Sequence, residues 1–256
     1  MKGRLLLVLA GATVGTGAYA GYINPYLLSR SPDGTNDSFD YILQSQTAWA
    51  GYSTGTYDAS TQQATGDYGD QSDAAYFAAA NGYSGNVVVH YAGYEASAAV
   101  GWYSESDATA IAADEAAGNY TAAESYITWV VGNYNGTYQN TGTIAAKGDF
   151  GLAFESGDVS GVLQGTVYYS DSSLNTIDGG GDHLALVAGK SGSALAGSYF
   201  MGWEDEPLYA SDQDYNDLVM TMTGAQSPAS TTPEPFTMAL AGSALGLALI
   251  RRRRAK

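Results

Sequence analysis

Apolar positions in this chain come in short bursts. Val87-Val88-Val89-His90-Tyr91 is β-branched and aromatic, and is bounded by Gly85-Asn86 and Gly93. Similar runs follow at 101–103, 126–131, 150–154, 161–169, 183–187, 198–203 and 217–222. Gly, Asn, Asp and Ser fill the gaps, so strands and turns alternate about every ten residues. That spacing predicts an all-β fold, an antiparallel β-sandwich of jelly-roll-like kind. The alanine-rich stretch 107–117 is the exception and favours a helical turn on propensity alone. Residues 137–143 are turn-like, and 39–43 form a short amphipathic piece. Residues 51–73 are Gly, Ser, Thr, Gln, Asp and Tyr with almost no aliphatic side chains, which suits long surface loops or short edge strands.

The two ends follow different patterns. Lys2 and Arg4 precede an apolar stretch, and Ala18-Tyr19-Ala20 is a small-x-small cleavage site, so residues 1–20 read as a secretory signal peptide cut after Ala20. At the other end, Pro233-Glu234-Pro235 precedes an uncharged apolar run to Ile250, then Arg251, Arg252, Arg253 and Arg254. A helix over 236–250 reaches about 22 Å, short of a full hydrocarbon core. The arginines resist translocation and hold the chain in the inner membrane.

Pro233-Glu234-Pro235, the short apolar helix and the arginine cluster together resemble the PEP-CTERM sorting signal of Gram-negative bacteria. The resemblance implies export by the Sec translocation machinery and a transient single transmembrane anchor. Cleavage by a membrane exosortase follows, with delivery to the cell surface or extracellular matrix. The expected organisation is then a signal peptide (1–20), a leader (21–36), a β-sandwich domain (37–223), a polar linker (224–232) and the sorting signal (233–256).

Charge sharpens this reading. The formal net charge is −16, yet seven of the ten basic residues sit in the two terminal segments. Between them, Arg30, Lys147 and Lys190 stand against all 26 acids. Such a surface repels nucleic acid and anionic lipid and suits cations or plain solubility. No cysteine is present, so disulfides, thiol nucleophiles and thiolate metal sites are excluded.

The chemically densest stretch is 202–220, where Glu204-Asp205 is followed by Asp212-Gln213-Asp214-Tyr215-Asn216-Asp217 and a hydrophobic strand. Asp212, Asp214 and Asn216 alternate, so they share one face of an extended segment or wrap a cation in a tight loop. Hard oxygen donors at this density suit Ca²⁺, with Glu204, Asp205 and Asp217 able to complete the set. The other reading is a series of Asx-turns capping the strand entry. The spacing is not that of an EF-hand, since Asp217 and Thr223 stand where that loop needs Gly and Glu.

The block Ser211-Asp-Gln-Asp-Tyr-Asn-Asp217 with the preceding Trp203-Glu-Asp205 resembles the closing motif of the bacterial family called domain of unknown function 4114. Weaker similarity extends over 85–223, through Tyr91-Ala-Gly-Tyr-Glu-Ala-Ser97, Gly101-Trp-Tyr103, 150–154, 168–175 and Asp182-His183. The resemblance implies a fold and an extracellular address but no reaction.

Catalytic signatures are absent. His183 beside Asp182 lacks a nucleophile motif, and Glu95, Glu105, Glu124 and Glu155 form a glycosidase pair only if folding sets two of them across a cleft. The expectation is therefore a non-enzymatic structural or adhesive protein of the envelope or exopolysaccharide matrix, ordered by Ca²⁺. The alternatives are a lectin-like carbohydrate-binding module and, behind it, a secreted hydrolase.

Overall fold

The computed structural model describes residues 38–45, 50–52, 56–58, 63–65, 76–78, 85–92, 98–132, 140–157, 163–190 and 192–225. The segments expected to be the signal peptide, leader and sorting signal, and Glu95, lie outside them. Among the described residues no helix is long and apolar enough to cross a membrane.

The elements are α1 (Phe39–Ser45), β1 (Thr56–Asp58), β2 (Gln63–Thr65), β3 (Gly85–Ala92), β4 (Ala99–Ser104), α2 (Ala108–Ala116) and α3 (Tyr120–Glu124). They continue as β5 (Thr128–Val131), β6 (Thr141–Ile144), β7 (Phe150–Gly157), β8 (Leu163–Tyr169), β9 (Leu184–Ala188), β10 (Ser198–Trp203) and β11 (Leu218–Thr223). A five-stranded sheet runs β6-β3-β11-β10-β9 and a four-stranded sheet β5-β4-β7-β8, with every pairing antiparallel. β1 and β2 form a separate hairpin. The protein is an all-β sandwich with a few short helices.

Three apolar layers explain the sequence pattern. Leu184 and Leu186 of β9, Met201 and Trp203 of β10, and Leu218, Met220 and Met222 of β11 face the inter-sheet core. Val87, Val89 and Val100 join them there with Phe150, Leu152 and Phe154 of β7. The alternate residues Ala185, Val187, Phe200 and Val219 lie on the outer face of the five-stranded sheet, under Phe39 and Leu43 of α1. On the four-stranded sheet the alternate residues Tyr103, Ala153 and Tyr169 lie under Ile111 of α2 and Ala123 of α3. The central strands of both sheets are thus covered on both faces, so there period-2 alternation separates one apolar layer from another, whereas β3 and β6 turn Asn86, His90, Thr141 and Thr143 to solvent. β7 and β10 are accordingly buried along their whole length.

Two expectations are revised. Turn-like 137–143 contains the start of β6, whose Gly142 lies against Val130 too closely for a side chain: an added Cβ would sit 2.5 Å from its carbonyl oxygen. The strand expected from Tyr126 begins at Thr128, because the amides of Tyr126 and Ile127 still bond back to Ala123 and Glu124 at the end of α3. The helix expected at 107–117 is α2, which packs Ile111 onto the sheet.

Candidate functional site

The acidic loop 204–217 joins β10 to β11. Trp203 pairs with Leu218 in the ladder, so Glu204 and Asp217 leave the hairpin side by side. The backbone amide of Asp205 donates to Asp217 Oδ2 at 2.9 Å, which extends the pairing one step past the strands.

The far side of the loop is shaped by two left-handed residues, Gln213 (φ 60°) and Tyr215 (φ 57°). Left-handed backbone is costly for a residue with a Cβ, so packing must fix it. Tyr215 has that packing: its ring is buried in the layer under α1, and its hydroxyl donates to the Asp182 carbonyl at 2.9 Å. Its amide points at Glu204 Oε2, 3.3 Å away. The Gln213 side-chain amide donates to the Leu208 carbonyl. Between the two, Asp214 is turned inward; its Oδ1 and Oδ2 accept from the Asn216 amide (3.2 Å) and Nδ2 (2.7 Å). The Asp214 carbonyl accepts from the Phe39 amide at 2.9 Å, tying the loop to α1.

Glu204 is the centre of the result. Carboxylate oxygens of Glu204, Asp212 and Asp214 lie within 4.8 Å of one another, and so do those of Glu204, Asp205 and Asp217. Glu204 is 1% exposed and Asp214 3%. Burial, then the charge of Asp217 and a hydrogen bond to it, push Glu204 far above the usual carboxylate range. Burial and the charge of Asp205 push Asp217 up as well. Glu204 and Asp217 therefore share a proton between them, since two adjacent buried carboxyls cannot both ionise.

The six residues expected from the sequence thus behave differently. Glu204, Asp205, Asp212, Asp214 and Asp217 converge in two groups that share Glu204. Asn216 gives its amide to Asp214 and acts as a brace. Both Asx-turn geometry and convergence of carboxylates are present, so the two readings of the loop are compatible. The donor set is all oxygen, and no basic side chain lines the adjoining cavity, whose volume is about 600 Å³. Such a set fits a hard divalent cation in place of the proton.

Sequence reasoning missed the partners that arrive from distant strands. Ser156 of β7 donates to Asp205 Oδ2 at 2.6 Å. Tyr168 of β8 stacks on His183, with ring centroids 3.8 Å apart. His183 is fully buried, and its Nδ1–H donates to the Glu204 carbonyl at 2.9 Å, so it serves to hold the start of the loop. Nothing in local sequence signals these contacts.

The suspected glutamates have separate settings. Glu155 is buried on β7 and accepts from the Gly165 amide, Glu105 lies near Asp149, and Glu124 of α3 faces a cavity shared with Glu115 of α2. Burial raises the pKa of Glu115 and of Glu124.

The fold and loop define an antiparallel β-sandwich domain with an acidic hairpin loop at one end. Residues 123–225 match the family model described as Domain of unknown function (DUF4114), so a DUF4114 domain occupies that stretch. No curated protein and no solved structure matches the chain.

Proposed function

We propose that the protein is an exported, non-enzymatic component of a bacterial surface or extracellular matrix, in which the 204–217 loop takes up Ca²⁺ to stiffen a structural or adhesive β domain. The observation that carries the cation reading is the gathering of five carboxylates into two groups of three that share the buried Glu204. Cation binding is the plain way for that cluster to ionise fully, because it replaces a shared proton with a charge of the right sign. Glu204, Asp205, Asp212, Asp214 and Asp217 would hold the ion, with Ser156 and Asn216 orienting Asp205 and Asp214.

Export and processing rest on the ends of the chain. The basic-apolar-small pattern before Ala20 supports Sec export, and Pro233-Glu234-Pro235 with Arg251 to Arg254 supports an exosortase as processing partner. The non-enzymatic reading is supported by the different settings of Glu105, Glu124 and Glu155 and by a structural place for His183.

Thermal melting of the exported form tests the cation. At calcium about a hundredfold above its Kd, the melting temperature should rise by roughly 5–10 °C over the chelated protein. Asp214→Asn should abolish most of the rise, and no rise at millimolar calcium would reject the reading. Mass spectrometry of the protein released by its host tests processing, with masses expected to begin at Gly21 and to lack the arginine cluster.

A further inference from the structure

Five large apolar side chains stand in solvent among the described residues, and three of them edge a single groove. Tyr209 is 81% exposed, and Tyr120 and Ile177 are each 52% exposed. The groove consists of two depressions of about 600 Å³ and 120 Å³ that meet at Thr166 and Ile177 beside β8. Tyr209 stands on the larger depression, Tyr120 on the smaller, and Ile177 between them.

Large apolar groups cost least in the interior, so their concentration on one concave surface marks a place where something docks. Tyrosine suits such a role because a rigid ring offers an apolar face while its hydroxyl remains wet. Between the rings the lining is polar and strongly acidic: Ser156, Thr166 and Thr176 supply hydroxyls, Glu115 and Glu124 supply acceptors in the smaller depression, and the acids of the 204–217 loop supply them in the larger. Among the described residues no lysine or arginine lines either depression, which disfavours nucleic acids, phosphorylated ligands and acidic sugars on charge grounds. The occupant must combine flat apolar faces with many hydroxyl donors.

We propose that the groove along β8, from Tyr209 past Ile177 to Tyr120, binds an uncharged polysaccharide chain, with sugar rings lying on the two tyrosines and sugar hydroxyls donating to the groove's carboxylates. The larger depression and Tyr209 belong to the 204–217 loop, whereas Tyr120, Glu115 and Glu124 lie on α2 and α3 away from it, so the chelator arm of the test separates sugar binding from cation binding. A basic peptide is the competing occupant. It would answer the charge of the groove, but its binding would be lost at high salt.

The test uses the exported protein in isothermal titration against three neutral hexasaccharides (cellohexaose, mannohexaose and maltohexaose) and against decalysine. Each is measured at 50 mM and 500 mM salt, with and without chelator. At least one hexasaccharide should bind, with little change between the two salt concentrations. Tyr209→Ala and Tyr120→Ala should each weaken it about five- to tenfold. Tyr41→Ala, which removes from α1 a ring as exposed as that of Tyr120, should leave it unchanged. Melting curves confirm that each variant is folded. Binding that survives in chelator supports the groove even if calcium never binds. Failure of all three sugars, binding indifferent to both groove tyrosines, or salt-labile binding of decalysine alone would each overturn the proposal.

Discussion

The carboxyl of Glu204 sets the pH response of the loop. Its folded pKa and that of Asp217 lie above their unfolded values, chiefly through burial. Between the unfolded and folded values the native state binds more protons than the unfolded chain, so stability is greatest at low pH and declines as pH rises through that window. In chelator the melting temperature should therefore fall from about pH 4.5 to pH 8. Glu204→Gln, which keeps the donor and drops the charge, should flatten that slope, and a pH series of melting curves on both proteins checks it. Tyr215→Phe removes the buried hydrogen bond to the Asp182 carbonyl and should cost about 1 kcal/mol, read from the urea midpoint. At this scale the acids were legible because their density is unusual and local. Ser156, Tyr168 and the bracing role of Asn216 were not, because each depends on a contact fixed only when distant strands meet.

Among the elements, α1 and β10 are coupled through a missing side chain. A Cβ on Gly202 would lie 2.3 Å from the Phe39 ring and 2.3 Å from the Tyr215 carbonyl. Glycine is needed there so that β10 can pass beneath both. Gly202→Ala should push α1 outward and destabilise by about 2 kcal/mol or more. Phe39→Ala, which empties a site packed against Phe200 at 5.3 Å, should cost about 3–5 kcal/mol. Denaturant unfolding measures both, and the alanine at 202 should also reduce any calcium-induced rise in melting temperature, since α1 holds the Asp214 carbonyl. The strands from β3 on were readable from their β-branched and aromatic runs, except β6, whose Thr-Gly-Thr-Ile sequence carries no such run. Their partners were not: a sheet buried on both faces lacks the apolar-polar alternation that would say which residues face which layer. α1 has only seven residues, too few for a periodic signal.

The whole molecule is larger than the segment that matches the family model. That segment, 123–225, omits β3 and β4, yet β3 lies between β6 and β11, and β4 lies between β5 and β7. A fragment restricted to 123–225 should show no cooperative thermal transition and a weak near-ultraviolet dichroism signal, whereas one spanning 38–225 should show a cooperative transition and a strong signal. The all-β class was legible from the strand spacing. The division into two sheets was not, because register and strand order are set by long-range packing. Strand order also has a temporal meaning. β11 is the last strand among the described residues but slots into the middle of its sheet, between β3 and β10. However the chain emerges, from a ribosome or through a pore, β3 and β10 wait for a neighbour that has not yet arrived, so the domain stays ajar until its final strand is free, and the acidic loop closes in that same last step.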